Sequence, residues 1–310
     1  MSVLGPSRAR TWSVVGTLFL VGAGAASAAA QDWRTYVTVQ HPERFTINWH
    51  AFYEKASELT DAARQALPHS LDLAYGTDPK QRLDLYFPLE TPRQAPVFLF
   101  IHGGGFREGD RRQYGYVAVP LAARGVITAV MSYRLLPHVY PSQVTDVELA
   151  LAWLVTNIGR HGGDPRRIYV GGHSAGAILS ALLGVRTDWQ GARGLPSDVI
   201  KGIVPVSGPY DLRGLSGFVA DFIPADGPDR VRASPILRIA RTPPAVVAYG
   251  EKEEPYASGS RSFVDALVAH GGRATLTALQ GMGHDQTALT LADAANPLTQ
   301  AVLMLVKPTP

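Results

Sequence analysis

A serine flanked by small residues stands at the centre of the stretch YVGGHSAGAIL, residues 169–179. The apolar residues RIYV before the turn are typical of a strand, and AILSALLG after it favours a helix. A sharp strand-to-helix turn strains the backbone of its central serine, and small residues two before and two after it relieve the crowding. Gly172 and Gly176 occupy those places. The stretch therefore predicts a nucleophilic Ser174, with an ordinary packing turn as the alternative.

A serine hydroxyl needs a base that removes its proton and a third group that orients the base. Among the nine histidines, His284 fits best, because it lies in the glycine-flanked loop LQGMGHDQT directly after the last predicted strand. His173 lies inside the serine turn and is expected to point away from it. Six others lie at a helix end, in loops without a comparable preceding strand, or before the sheet: His41, His50, His69, His138, His161 and His270.

The orienting carboxylate is expected in the loop after the strand PAVVAYG, which carries Glu251, Glu253 and Glu254. Three glutamates on a loop are most often a solvated charge run, but one of them can orient the base. We favour Glu253, with Glu254 and then Glu251 as alternatives. Asp211 is an outside candidate, and Asp285 is disfavoured because the residue next to the base directs its side chain elsewhere.

Negative charge that develops on a substrate oxygen needs preset hydrogen-bond donors. The stretch FLFIHGGGF follows another apolar strand, and its glycines let backbone N–H groups approach a ligand. We predict that Gly104, Gly105 and Ala175 supply these donors and that His102 supports the loop. A flexible turn is one alternative. A phosphate loop is the other, but the Lys-Ser/Thr ending and the dinucleotide glycine spacing are both missing.

These residues need a scaffold that brings them to one place. From Leu83 onward, the apolar runs RLDLYF, PVFLFIH, VITAVMSY, RIYV, IKGIVPVSG, PAVVAYG and RATLTAL alternate with helical patterns near 113–123, 143–159, 175–184, 258–269 and 293–305. Such alternation predicts an α/β fold, with a mainly parallel eight-stranded sheet and helices on both faces. Binding groups collect at the carboxyl edge of such a sheet.

The chain of 310 residues, 46% of them hydrophobic, is long enough for one large core, and we predict a single domain over residues 31–310. Within it, residues 48–67 have helical spacing, and residues 31–70 are predicted to form a small N-terminal helical cap segment. A helix packed on the surface is the alternative. Phe106 and Tyr210 are candidates for the substrate pocket, although large aromatic residues there equally suit the core.

Residues 1–30 resemble a secretory signal, because two arginines precede an apolar run over about residues 14–26 and then the small residues ASAAAQD. Cleavage is expected near Ala28 or Ala30. The run is shorter than the roughly 20 residues that span a bilayer, so we expect a secreted or periplasmic protein without a stable membrane span.

Composition excludes several classes of chemistry. The chain has no cysteine, which rules out disulfides and thiol catalysis. The net charge of +3 gives no support to nucleic-acid binding. No HExxH pattern or clustered ligand spacing is present, so neither a metal nor another cofactor is expected. The sequence leaves the oligomeric state open.

Five ordered stretches resemble the α/β-hydrolase superfamily, specifically the hormone-sensitive-lipase-like esterases and their feruloyl-esterase-like and kynurenine-formamidase-like relatives. They are IHGGGF, SYRLLPHVYPSQVTDV, GGDPRRIYVGGHSAGA, VSGPYDL and GMGHD, and the resemblance covers about residues 70–305. It implies Ser174 as nucleophile, His284 as base, and oxyanion donors at Gly104, Gly105 and Ala175. The family's usual acid is an aspartate three residues after the loop's glycine; counted from Gly250, that place holds Glu253 here.

The chain order Ser174, Glu253, His284 is that of α/β-hydrolases. We therefore expect a serine carboxylic-ester hydrolase that acts through an acyl-enzyme intermediate. Its expected partners are small-molecule substrates, namely small or aryl esters. The alternative is an arylformamidase or amidase of the kynurenine-formamidase type. A more remote alternative is a binding protein that keeps the hydrolase fold without catalysis, which the complete set of three residues disfavours.

Overall fold

The computed structural model describes residues 40–41, 44–45, 49–223 and 227–306. The strands of the described part are β1 (Gln40–His41), β2 (Arg44–Phe45), β3 (His69–Ala74), β4 (Arg82–Tyr86), β5 (Ala95–Ile101), β6 (Ile127–Met131), β7 (Gly163–His173), β8 (Ile200–Val206), β9 (Ala245–Gly250) and β10 (Ala274–Leu279). The predicted signal segment, residues 1–30, lies outside the described residues.

The α-helices of the described part are α1 (Trp49–Ala66), α2 (Ala118–Ala122), α3 (Ser142–Asn157), α4 (Ala175–Val185), α5 (Phe218–Phe222), α6 (Pro228–Ala233), α7 (Glu254–Ala269), α8 (His284–Leu289) and α9 (Pro297–Leu305). Strands β3 to β10 form one sheet in the order β10-β9-β8-β7-β5-β6-β4-β3. Within this sheet the pairs β3–β4 and β4–β6 are antiparallel, and the other pairs are parallel. The predicted α/β fold with a mainly parallel eight-stranded sheet is confirmed.

Each face of the sheet carries its own hydrophobic core. Along β5, Val97, Leu99 and Ile101 belong to one buried cluster, and Phe98 and Phe100 belong to the other. The alternation follows from the two-residue period of a strand. Residues of α3, α4 and α7 fill the first cluster, and residues of α1, α2 and α9 fill the second. A continuous apolar run such as APVFLFI is thus explained by burial on both faces.

The sequence prediction missed the edge strand β3 and misjudged one helix. Strand β3 is mostly exposed, and its sequence HSLDLA alternates polar and apolar residues, so it shows no apolar run. It begins inside the segment 31–70 that was predicted as a cap. The helix predicted near 113–123 is only α2, preceded by short 3₁₀ turns. Pro120 lacks the N–H that a longer α-helix would need from this position.

Helix α1 confirms the helical spacing of the N-terminal segment. Phe52, Ala56, Leu59 and Ala63 are buried along one face, which is the stripe expected of an amphipathic helix. The helix packs against the 3₁₀ turns over residues 111–117 and approaches α8. It therefore lies beside the loop that follows β10.

Candidate active site

Ser174 occupies a sharp turn between β7 and α4. Its backbone has φ 56° and ψ −116°, a conformation that residues other than glycine rarely adopt, and its N–H donates to the carbonyl of Val206 at 2.9 Å. A Cβ on Gly176 would collide with the carbonyl oxygen of Ile101. The close approach of turn and strand therefore requires glycine at this place, and the structure has the strand, turn and helix that the sequence predicts.

His284 is the first residue of α8, in the loop after β10. Its Nε2 lies 2.9 Å from Ser174 Oγ, and the ring is buried. The ring of Tyr256 stacks on it with centroids 5.0 Å apart, and Trp49 of α1 meets it edge-on at 6.3 Å. These two aromatic rings help to bury the imidazole away from solvent.

Glu253 is fully buried and completes a hydrogen-bonded line. Its Oε1 lies 2.5 Å from His284 Nδ1. A carboxylate only accepts hydrogen bonds, so Nδ1 carries the proton and Nε2 is left to accept from Ser174. Of the alternatives, Glu251 and Glu254 are exposed, and Asp211 pairs with an arginine close to it in sequence. The structure brings together the three side chains that we favoured.

The glycine loop after β5 abuts the serine turn. A Cβ built on Gly103 would lie 3.1 Å from the Cβ of Ser174. Gly104 and Gly105 both have positive φ values, 108° and 58°, and the carbonyl of Gly104 accepts from the N–H groups of residues 107 and 108. Ala175 is the first residue of α4, where N–H groups have no intrahelical acceptor. The loop that carries Gly104 and Gly105 thus meets the serine turn through Gly103, and Ala175 directly follows the serine.

His102 is fully buried in this loop and is held on several sides. Its Nδ1 donates to the carbonyl of Gly103 at 2.6 Å, its ring stacks on Tyr133 with centroids 4.3 Å apart, and the hydroxyl of Tyr133 donates to its carbonyl at 3.0 Å. Burial lowers the pKa of His102 to about 4, so the ring is neutral at pH 7. This placement fits a residue that supports the loop.

His173 does not point away from the site, and that expectation was wrong. Its Nε2 lies 2.8 Å from the carbonyl oxygen of His284, and the two rings are 4.6 Å apart. The sharp turn at Ser174 directs the ring of the preceding residue across to α8. Burial holds the pKa of His173 well below its usual range, so the neutral ring donates its Nε2 proton to the carbonyl.

The two aromatic residues predicted for the substrate pocket lie in the core. Phe106 is fully buried and stacks on Phe222 of α5 with centroids 3.8 Å apart. Tyr210 is 1% exposed and stacks on Phe263 of α7 at 4.5 Å. Neither offers surface to a ligand, because each is covered by an aromatic residue of a helix. Both belong to the hydrophobic core.

Two further residues reach the line of three side chains and were not predicted. Ser207, at the end of β8, donates to Glu253 Oε2 at 2.6 Å. Thr287, in α8, lies 2.8 Å from Ser207 Oγ. Serine and threonine are common and these contacts span 46 and 80 positions. The sequence offered a signal for Ser207 alone, which lies in the run IKGIVPVSG and in the stretch VSGPYDL.

Comparison with known proteins finds related sequences. The family model BD-FAE matches residues 83–256, more than half of the chain. Esterase LipC of Mycobacterium tuberculosis is 34% identical over 251 residues, which are 74% of this chain but only 62% of LipC. Kynurenine formamidase of Salmo salar is 28% identical over 80% of this chain and 86% of its own length.

A solved structure shares the fold. The hyperthermophilic esterase of the archaeon Pyrobaculum calidifontis superposes with a TM-score of 0.66 at 23% identity, over 83% of this chain and 91% of that protein. With the match over residues 83–256, these similarities show that the chain belongs to the BD-FAE family of α/β-hydrolases.

Proposed function

We propose that the protein is a serine carboxylic-ester hydrolase that acts on small or aryl esters through a Ser174–His284–Glu253 triad. The observation that carries this proposal is the continuous line of hydrogen bonds from Ser174 Oγ through His284 to Glu253, beside a glycine loop with positive φ values. Nucleophile, base, orienting acid and oxyanion donors are the parts that acyl transfer requires.

Acylation begins when Ser174 Oγ attacks the ester carbonyl carbon and its proton passes to His284 Nε2. The imidazolium that forms is stabilised by the carboxylate of Glu253, 2.5 Å from Nδ1. The N–H groups of Gly104, Gly105 and Ala175 hold the negative charge on the carbonyl oxygen. His284 then gives its proton to the leaving alcohol, which leaves an acyl group on the serine.

Deacylation runs through the same groups. Water gives a proton to His284 Nε2 as its oxygen attacks the acyl carbon, and the same proton returns to Ser174 Oγ when the carbon–oxygen bond of the acyl-enzyme breaks. The products are the free carboxylic acid and the unmodified serine.

Ser174→Ala tests the proposal directly. The variant is expected to lose hydrolysis of an aryl acetate, because it lacks the hydroxyl that lies 2.9 Å from His284 Nε2. Ser180→Ala is the matched control. Ser180 is a buried serine of α4, but its hydroxyl donates to the carbonyl of Ala177. Turnover by Ser174→Ala close to that of Ser180→Ala would refute the proposal.

A second candidate is formamidase activity. The kynurenine formamidase of Salmo salar is matched over 86% of its length, compared with 62% for LipC. The same line of groups attacks an activated amide, with the amine as leaving group. Values of kcat/KM on a short aryl ester, a feruloyl ester and N-formylkynurenine separate the two: a preference of tenfold or more for the formamide would assign the second candidate.

Export and a cap are part of the same proposal. Residues 1–30 are proposed as a cleaved signal, which N-terminal sequencing of the protein from the periplasm or medium tests. Among the described helices, none is long and apolar enough to cross a membrane.

Segment 31–70 is proposed to border the site, since Trp49 contacts the ring of His284 and stacks on Tyr53.

A further inference from the structure

A closed ring of hydrogen bonds lies behind the proposed triad. Glu253 Oε1 meets His284 Nδ1 at 2.5 Å, and Glu253 Oε2 meets Ser207 Oγ at 2.6 Å. Ser207 Oγ lies 2.8 Å from Thr287 Oγ1, which lies 2.7 Å from the carbonyl oxygen of His284. The side chains of Glu253, Ser207 and Thr287 are fully buried. The ring therefore ties both ends of His284, its imidazole and its main chain, to one serine.

The number of protons fixes the direction of these bonds. Each hydroxyl has one proton, and an ionised carboxylate and a carbonyl only accept. Ser207 therefore gives its proton to Glu253, and the single proton of Thr287 serves both Ser207 Oγ and the carbonyl of His284. When Thr287 donates to Ser207, it strengthens the bond from Ser207 to Glu253, because linked hydrogen bonds polarise one another.

The backbone of Ser207 is unusual for a residue with a side chain. Its φ is 55°, in the left-handed region that favours glycine, and its N–H donates to the carbonyl of Ala248 at 2.8 Å. A glycine would adopt this conformation without strain. A serine with this strained backbone is therefore a candidate for a functional role of its hydroxyl.

Glu253 needs such an anchor because its side chain has one more rotatable bond than aspartate. One carboxylate oxygen serves His284, and the other is held by Ser207 and by the N–H of Gly250. We propose that Ser207, supported by Thr287, is a positioning residue that fixes the Glu253 carboxylate against His284. This inference rests on the proposed function, since it concerns the orientation of the base.

Ser207→Gly tests the hydroxyl without the strain. Glycine relaxes the φ of 55°, so thermal stability is expected to stay at or near that of the wild type. The kcat for an aryl acetate is expected to fall about tenfold, the order of effect of losing one hydrogen bond to a charged group, with KM unchanged. The downfield NMR resonance of the His284 Nδ1 proton should also shift, because the carboxylate that accepts it is no longer fixed.

Thr287 supplies a matched pair of variants. Thr287→Ser keeps the hydroxyl and is expected to keep most of kcat, whereas Thr287→Val keeps the shape and should lose several-fold. Ser260→Ala, which changes a buried serine of α7 outside the ring, is the control and should leave kcat unchanged.

Wild-type kcat in Ser207→Gly, or equal kcat in the two Thr287 variants, would overturn the inference. If Ser207→Gly fails to fold, the Thr287 pair alone decides in the same way. Failure here is distinct from failure of the proposed function: an active Ser174→Ala refutes the triad itself, whereas an inactive Ser174→Ala beside a fully active Ser207→Gly refutes only the positioning role.

Discussion

The two edges of the central sheet differ in backbone strain and in open space. At the carboxyl edge, three residues other than glycine have positive φ values: Phe106 in the loop after β5, Ser174 after β7 and Ser207 after β8. At the amino edge, Gln94 before β5 is the one such residue in the described part of the chain. At the amino edge of β9 and β10 lies a cavity of about 770 Å³, lined by residues such as Tyr169, Lys201, Val268 and Met304. The proposed triad lies at the strained edge.

Under the proposed function, the difference teaches that preorganised groups, more than open volume, indicate the site of chemistry. Strain at Ser174 and Ser207 persists because the surrounding structure determines both conformations, and it places their hydroxyls on His284 and Glu253. No group of the amino-edge cavity takes part in such a line within the described part of the chain. The predictions below set one edge against the other.

The largest expected effect is that of His284→Ala, which removes the base. We expect kcat/KM for an aryl acetate to fall by about 10⁴-fold or more, because the serine proton then has no acceptor. The control is His270→Ala, an exposed histidine at the end of α7. A loss smaller than tenfold in His284→Ala would place the base elsewhere.

Removal of the buried charge comes next. Glu253→Gln keeps the size of the side chain but loses the carboxylate that stabilises the imidazolium, so kcat should fall by about 10³ to 10⁴-fold. Glu254→Gln changes an exposed neighbour and should stay within twofold of the wild type. Similar kcat values for the two variants would show that the acid is wrongly assigned.

Distortion of the glycine loop should cost less. A Cβ on Gly104 would meet the carbonyl of Glu108 at a φ of 108°, so Gly104→Ala displaces a predicted oxyanion donor and should lower kcat roughly 10² to 10³-fold. Gly271→Ala, at a φ of 80° with open space around it, imposes comparable backbone strain far from the loop. If both variants lose the same activity, strain alone explains the effect.

Burial of His102 in the glycine loop should make stability depend on pH. Burial lowers the pKa of His102 from 6.5 to about 4, so the unfolded chain binds its proton first. The contribution of His102 to the free energy of unfolding is complete above pH 6.5. It decreases by about 3 kcal/mol as the pH falls to about 4. Urea unfolding of wild type and His102→Gln over this range checks it: the variant's stability should depend less on pH. Parallel curves would contradict the prediction.

The smallest effect is expected at the amino edge. Lys201→Ala changes a residue of the open cavity, and kcat and KM for the aryl acetate should stay within twofold of the wild type. The aryl-acetate assay used for the other variants provides the measurement. A tenfold change would mean that this edge also contributes to the site.

The strands of the parallel core and the three proposed triad residues could be predicted because each leaves a local mark. Burial on both faces makes strands such as β5 continuously apolar, and Ser174 lies between small residues that the turn requires. Strand β3 leaves no such mark, because an exposed edge strand needs no apolar residues.

Other features depend on contacts that sequence spacing does not encode. Tyr210 was a candidate for the substrate pocket with the core as the alternative, and its packing on Phe263 places it in the core. Ser207 and Thr287 meet across 80 positions, and neither residue type is rare enough to attract notice. Their contact forms only when the sheet brings β8 and α8 together.

The most direct test of the central claim is labelling with an aryl organophosphonate followed by peptide mass spectrometry. If the line from Glu253 through His284 activates Ser174, one phosphonyl group should attach to the peptide that contains Ser174, in proportion to the loss of ester hydrolysis. Complete inhibition with the label on a different residue, or full turnover by protein labelled at Ser174, would contradict the account.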